Sequence, residues 1–124
     1  MSTVVSVVVG GAIGALSRYG VDRVIEQRSD SSFPWSTLAI NVTGCVLVGF
    51  LIAAIVDRHS APEWLRTGLV VCLCSGYTTF STFAQETLDL IEARDVAFAA
   101  LSLSGNVVLG VLAVMAGARL GRLT

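Results

Sequence analysis

The sequence predicts an all-α membrane protein with four transmembrane helices. Of its 124 residues, 54% are hydrophobic and only 14% are charged, whereas a soluble domain carries about 25% charged residues. A bilayer core about 30 Å thick needs about 20 apolar residues per helix. Runs without charge cover residues 1–17, 31–56, 67–85 and 96–118. We therefore expect a single domain, residues 1–124, with helices at about 3–26, 35–56, 62–92 and 96–120.

The charges and the residue types narrow the classes of function. The net charge is −1 and the chain has no lysine, which excludes the basic surface that nucleic-acid binding needs. No phosphate-binding glycine loop, metal cluster or nucleophile–base pair can be assembled from the sequence. We therefore expect no enzymatic activity.

The arginines are balanced between the two sides of the predicted bundle. Four spans place both termini on one side, together with Arg58, Arg66, Arg119 and Arg122. The other side carries Arg18, Arg23, Arg28 and Arg94. The positive-inside rule therefore gives no orientation. Either a minor signal decides the orientation, or the chain inserts both ways and two opposed copies form an antiparallel dual-topology dimer.

The first helix contains Gly10 and Gly14, followed by Arg18. Small residues four apart let two helix backbones approach closely. Arg18 lies one turn beyond Gly14 on the same face. It either extends its side chain to the membrane interface or places a cation at the mouth of an anion route.

Helices two and four each carry a polar stripe on an apolar surface. In helix two the stripe is Thr37, Asn41 and Gly44, and in helix four it is Ser102 and Asn106. A carboxamide in hydrocarbon needs a partner, so we expect Asn41 to face protein or a cavity. Contacts between helices are the usual role of such residues. The depth of Asn41, close to that of the hydroxyl groups in helix three, also favours a site.

The third helix is predicted to break near its middle. Residues 75–83 read Ser-Gly-Tyr-Thr-Thr-Phe-Ser-Thr-Phe, and the hydroxyl groups compete for backbone hydrogen bonds. Irregular backbone at membrane depth is tolerated only inside protein or beside a water-filled cavity. Discontinuous helices use the freed carbonyl groups to hold cations. The alternative is an ordinary helix whose hydroxyl groups bond back to the preceding turn.

The predicted interior offers neutral hydrogen-bond donors and aromatic rings. Its members are Thr37, Asn41, Thr78, Thr79, Phe80, Ser81, Thr82, Phe83, Ser102 and Asn106. Hydroxyl groups and carboxamides donate to an anion as it loses water, and the positive edge of a phenylalanine ring can face a small anion. The pattern favours a narrow path for a small, strongly hydrated anion.

Two other functions remain as alternatives. A small proton-coupled multidrug exporter would need a carboxylate at mid-depth, and the nearest one, Glu86, lies off-centre. In a non-transporting membrane assembly protein, the polar stripes would only hold the helices together.

Three segments resemble the Fluc (CrcB) fluoride-channel family. They are residues 10–15 leading to Arg18-Tyr19, residues 36–41 with Gly44 and Gly49 beyond, and residues 76–83 followed by Glu86. The resemblance spans nearly the whole chain. It implies a channel in the inner membrane that passively exports fluoride from the cytoplasm and reduces its toxicity. It also implies an antiparallel dimer, either a homodimer or a heterodimer with a related chain, with two pores and a central sodium ion.

The resemblance also implies roles for individual residues. Phe80 and Phe83 would be the pore phenylalanines and Asn41 the pore asparagine. Polar residues along or near the fluoride path would be Thr37, Ser81, Thr82, Glu86 and Asn106, with Arg18 in the vestibule. Sodium would be held by the backbone carbonyl groups of Ser75 and Thr78 from both subunits.

The chain departs from the family pattern at a few positions. It has Cys72 and Ser75 where the family usually has glycine, and Asn106 where the family has serine. A carbonyl ligand needs no particular side chain, so Ser75 remains a candidate for the sodium site.

Overall fold

The computed structural model describes residues 2–57 and 61–124, and within them the chain is helical throughout apart from turns and one internal break. Among the described residues, four helices are long and apolar enough to cross a membrane, which confirms the predicted all-α membrane fold. They are α1 (Thr3–Glu26), α2 (Trp35–Val56), a third span divided into α3 (residues 63–77) and α4 (Ser81–Glu92), and α5 (Val96–Leu123). The last helix extends three residues beyond the expected end at residue 120. Arg58, counted among the arginines above, lies outside the described residues.

Local chemistry sets several helix ends. The Ser2 hydroxyl accepts a hydrogen bond from the Val5 N–H group at 3.3 Å and caps α1. The Asp95 carboxyl caps α5 by accepting from the Phe98 N–H group at 3.3 Å. Both bonds satisfy an N–H group that has no partner within its own helix. The turn between α4 and α5 is tight because Arg94 adopts a left-handed conformation, with φ of 59°.

Glycine allows α1 and α3 to cross at backbone contact. Gly10 and Gly14 are buried, and a Cβ atom on Gly14 would lie 2.9 Å from the Tyr77 nitrogen. A Cβ atom on Gly10 would meet the Gly68 carbonyl. The predicted spacing of small residues therefore serves close helix packing, as it does in other membrane helices.

A second glycine contact joins α2 and α5, the pair with the most extensive packing in the described part of the chain. A Cβ atom on Gly117 would lie 3.0 Å from the Phe50 nitrogen, and one on Gly49 would lie 3.0 Å from the Ala118 nitrogen. The two glycine contacts hold α1 to α3 and α2 to α5 without any room for larger side chains.

Three stretches of the helices widen into π-helical turns, at Ile52–Val56, Thr67–Leu73 and Gly105–Leu109. Such turns accommodate an extra residue and are frequent at functional sites. The third turn contains Asn106. The polar stripe of α5 therefore lies where that helix departs from regular geometry.

Helix α4 is packed differently from the other helices. Within the described residues, the start of α5, which follows α4 in the chain, is the only helix segment whose backbone packs extensively against the α4 backbone. Side chains such as the buried Phe83 and Thr87 connect it to the rest of the bundle. The space that this leaves between α4 and the other helices contains the cavities described below.

Candidate functional site at the helix break

The third span breaks at Thr78, Thr79 and Phe80. Thr78 is extended, with φ of −79° and ψ of 161°, and α4 begins at Ser81. Hydroxyl groups take over part of the backbone bonding, because the Thr78 hydroxyl donates to the Cys74 carbonyl at 3.0 Å. The Thr79 hydroxyl accepts from the Thr82 N–H group at 3.3 Å. The break expected from the run of hydroxyl residues is present.

The break releases the backbone carbonyl groups of residues 75–78 from their helical donors, and those of Ser75 and Thr78 are among them. In an unbroken helix these two would accept from the N–H groups of Thr79 and Thr82, four residues further on. Here the Thr79 N–H group donates to the Asn41 side-chain oxygen at 3.0 Å, and the Thr82 N–H group donates to the Thr79 hydroxyl. The two carbonyl groups named for sodium binding therefore belong to the released stretch of backbone, and their helical donors bond elsewhere.

Asn41 bridges α2 to the break. Its oxygen accepts from the Thr79 N–H group, while its nitrogen donates to the Thr79 carbonyl at 3.2 Å and to the Asn106 oxygen at 2.8 Å. Asn106 in turn donates to the Ser102 carbonyl at 2.9 Å. The polar stripes of α2 and α5 therefore meet at the break, and Asn41 lies at the depth of the break, as predicted.

A cavity of about 400 Å³ opens beside the break. It is lined by Ser75, Thr78 and both phenylalanines of the motif, together with Asn41 and Asn106. The rings of Phe80 and Phe83 are 5.8 Å apart between centroids, with an angle of 60° between their planes. Phe83 is 7% exposed and Phe80 is 78% exposed in the single chain. Phe80 thus presents its ring to whatever fills or covers this cavity.

A second cavity, of about 210 Å³, lies between α1, α2 and the break. Arg18, Asp22, Thr37 and Thr82 line it, and Thr79 lines both this cavity and the first one. The two cavities therefore adjoin the same threonine. One cavity contains Arg18 and the other contains the phenylalanine rings.

Glu86 is tied to α2 rather than left free at the edge of the span. Its Oε1 atom accepts from the Thr37 hydroxyl at 2.9 Å, and its Oε2 atom is buried without a hydrogen-bond partner among the described residues. Nearby, the Ser36 hydroxyl donates to the Asp22 carboxyl group. A chain of polar contacts thus links α1, α2 and α4 beside the second cavity.

Most of the predicted site residues line one of the two cavities. The larger cavity gathers Asn41, Ser75, Thr78, Phe80, Phe83 and Asn106, and the smaller one gathers Arg18, Thr37 and Thr82. Ser81 lines neither of these two cavities. Ser102 is fully buried, and its hydroxyl has no partner in the described part of the chain.

Sequence reasoning gave too little weight to two residues. Thr79 was counted in the polar interior but not on the fluoride path, although it borders both cavities. Asp22 was not singled out, although it lies one helical turn after Arg18, a spacing that places both side chains on one face.

This arrangement defines a class of protein: a small multi-pass membrane protein whose neutral polar groups surround a helix break, as in ion-conducting proteins. The family described as "CrcB-like protein, Camphor Resistance (CrcB)" matches residues 5–118, and the chain belongs to that family. Together, the family and the four apolar helices make it a multi-pass inner-membrane protein.

Several curated relatives are similar over almost their whole length. The fluoride-specific ion channel FluC of Nitrobacter winogradskyi is 44% identical over 119 residues, 96% of this chain and 94% of the relative. The channel of the same name from Acidobacterium capsulatum is 42% identical, over 93% of this chain and 92% of its own. The one from Paracoccus denitrificans is 41% identical, over 97% of this chain and 94% of the relative.

Proposed function

We propose that this protein is a fluoride-selective ion channel that lets fluoride leave the cytoplasm down its gradient. The relatives named above are fluoride-specific channels by their descriptions. The observation that carries the proposal is the chemistry of the cavity beside the break. Within residues 2–57 and 61–124, no Asp, Glu, Lys or Arg lines it, and its polar groups are neutral amides, hydroxyl groups, thiols and backbone.

Neutral donors suit a small anion that must enter and also leave. A fixed positive charge at mid-depth would hold the ion tightly, whereas conduction requires binding that is favourable but weak. Donors from hydroxyl and amide groups replace part of the hydration shell, and the positive edges of Phe80 and Phe83 add to them. Arg18, in the second cavity, is placed to attract the anion from water.

The two cavities support a path for the ion. Fluoride would enter past Arg18 and pass Thr37 and Thr82. It would then cross the break at Thr79 and meet the two phenylalanine rings. The path residues that line the two cavities are Arg18, Thr37, Asn41, Thr79, Phe80, Thr82, Phe83 and Asn106. Ser81 and Glu86 line neither cavity, and their place near the path in this proposal rests on the family resemblance alone.

The functional unit in this proposal is an antiparallel dimer with dual topology. A phenylalanine ring 78% exposed beside an open cavity would be covered by a second copy of the chain. The balanced arginines agree with insertion in both orientations. Such a dimer has a two-fold axis in the membrane plane, the symmetry at which transporters with inverted repeats place their ion sites.

A structural sodium ion fits the break. The carbonyl groups of Ser75 and Thr78 are neutral oxygen donors released from helical bonding, and unwound backbone of this kind coordinates sodium in other membrane proteins. Two carbonyl groups from one chain are too few for a cation, and the opposed copy would supply two more. Bound sodium would hold the two breaks together.

Flux from liposomes tests the function. Purified protein is reconstituted in vesicles loaded with equal concentrations of fluoride and chloride, and electrodes follow the release of each ion. We expect fluoride release far above that of protein-free vesicles, and chloride release at the background rate. Equal release of the two ions, or none, would reject the proposal.

A matched pair of substitutions tests the pore assignment. Phe80→Ile removes the ring edge beside the break, whereas Phe98→Ile removes a ring that packs on Phe33, at 5.4 Å between centroids, away from the break. We expect the first variant to lose fluoride flux and the second to retain it, with both proteins dimeric by size-exclusion chromatography. Normal flux in Phe80→Ile would contradict the pore assignment.

The dimer and sodium proposals need separate measurements. With the three native cysteines replaced and one cysteine added at the C-terminus, accessibility labelling in intact cells should find half of the chains labelled from each side. Replacing sodium by a large organic cation should lower the thermal stability of the purified dimer. Labelling from one side only would refute dual topology, and an unchanged melting temperature would refute structural sodium.

A further inference from the structure

The only two asparagines of the chain hydrogen-bond to each other. Asn41 on α2 and Asn106 on α5 are 65 positions apart, yet the Asn41 nitrogen donates to the Asn106 oxygen at 2.8 Å. Both side chains line the cavity beside the break. Amides can donate and accept at once, so the direction of each bond decides which hydrogen atoms remain for an ion.

The backbone fixes the orientation of both amides. The Thr79 N–H group needs an acceptor and the Thr79 carbonyl needs a donor, so Asn41 must direct its oxygen to the first and its nitrogen to the second. The Asn41 nitrogen then faces the Asn106 oxygen, which leaves the Asn106 nitrogen to donate to the Ser102 carbonyl. Flipping either amide would place two donors or two acceptors against each other.

The two asparagines differ in how many of their side-chain amide hydrogen atoms are already used in hydrogen bonds. An asparagine nitrogen has two of them. Asn41 uses both, one for the Thr79 carbonyl and one for Asn106. Asn106 uses one, for the Ser102 carbonyl. Asn106 is therefore the amide with a hydrogen atom left to offer in the cavity.

We infer that Asn41 is a positioning residue and that Asn106 is the amide that donates to the conducted ion. Asn41 holds the broken backbone by pairing with both polar groups of Thr79, and it orients Asn106 through the bond between them. The π-helical turn at Gly105–Leu109 carries the ion-facing amide. The inference rests on the proposed function, because it names the ion's donor within the proposed path.

Two measurements on the reconstituted protein separate the roles. Fluoride efflux from liposomes reports conduction. Hydrogen exchange at the Thr79 amide, read by NMR on protein labelled with 15N-threonine, reports whether the break is held. The variants are Asn41→Ala, Asn106→Ala and the control Ser104→Ala. Ser104 is on α5, is exposed, and its hydroxyl donates only to carbonyl groups of its own helix.

We expect Asn106→Ala to lower fluoride efflux about tenfold or more, the effect of losing one hydrogen bond to an ion, while Thr79 exchange stays as in the wild type. Asn41→Ala should accelerate Thr79 exchange and also reduce efflux. The control should change neither. Efflux by Asn106→Ala within about twofold of the wild type overturns the ion-facing role.

Two further results would also decide the matter. If Asn106→Ala accelerates Thr79 exchange as much as Asn41→Ala does, Asn106 acts only by supporting the break, and its role as donor is refuted. If the wild type carries no fluoride, the proposed function and the donor role fall together. If hydrogen exchange at Thr79 in Asn41→Ala is the same as in the wild type, the positioning role of Asn41 is refuted, whatever the fluoride flux of that variant.

Discussion

The bond between Thr37 and Glu86 should stabilise the fold measurably, since it is a buried link between α2 and α4. Thr37 is 2% exposed and donates to Glu86 at 2.9 Å. The other Glu86 oxygen has no partner within the described residues. Thr37→Val keeps the shape of the side chain but leaves both carboxyl oxygens without a donor. An unsatisfied buried acceptor costs about 1–3 kcal/mol.

A matched control is available on α4 itself. Thr87 is also buried, but its hydroxyl donates to the Phe83 carbonyl of its own helix at 2.8 Å. That carbonyl retains its helical N–H donor when the hydroxyl is removed, so Thr87→Val should cost less than about 0.5 kcal/mol. The predicted difference between the variants is therefore about 0.5–3 kcal/mol, a factor of about 2 to 160 in the ratio of folded to unfolded protein.

Reversible unfolding of the purified protein measures the difference. Far-ultraviolet circular dichroism in mixed micelles, with increasing sodium dodecyl sulfate, gives a free energy of unfolding for each variant. A double-mutant cycle with Glu86→Gln then isolates the coupling between the two side chains. If Thr37→Val costs no more than Thr87→Val, the reasoning from buried hydrogen-bond partners is wrong for this site.

Two further predictions concern helix packing and ion entry. Gly117→Ala would place a Cβ atom 2.9 Å from the Val46 carbonyl carbon and should destabilise by about 1–3 kcal/mol. Gly20→Ala meets nothing within 4 Å and should stabilise by up to about 1 kcal/mol; equal changes in the same unfolding assay would refute the packing argument. Arg18→Gln should slow fluoride efflux at low ionic strength and have a smaller effect at high salt, whereas Arg23→Gln, exposed on the same helix, should not. A salt-independent loss would argue against long-range attraction by Arg18.

The fold class and the break could be predicted because both depend on local chemistry. The length of the apolar runs sets the number of spans. Three hydroxyl residues and a glycine between residues 76 and 81 make regular helix unfavourable there. The small residues at positions 10 and 14 likewise indicate a close helix crossing, and the structure has one at that place.

What the sequence could not give is the pairing between distant side chains. Thr37 and Glu86 are 49 positions apart, and Asn41 and Asn106 are 65 apart. Each residue was identified as polar and internal, but a stripe does not say which partner it will meet. Asn41 can pair with the Thr79 backbone only because the break lies at the same depth as Asn41. That depth is known only from the packed structure.

The unequal packing of the two halves of the third span has a consequence for how the protein can evolve. Helix α3 is pressed against α1 at glycine contacts that accept no larger residue. Helix α4 keeps its backbone clear of α2 and touches it through individual side chains. Substitutions on α4 can therefore change the side chains that the ion contacts without changing how the helices pack. We expect relatives to differ in sequence along α4, and in conductance as a result, while the crossing of α1 and α3 stays unchanged.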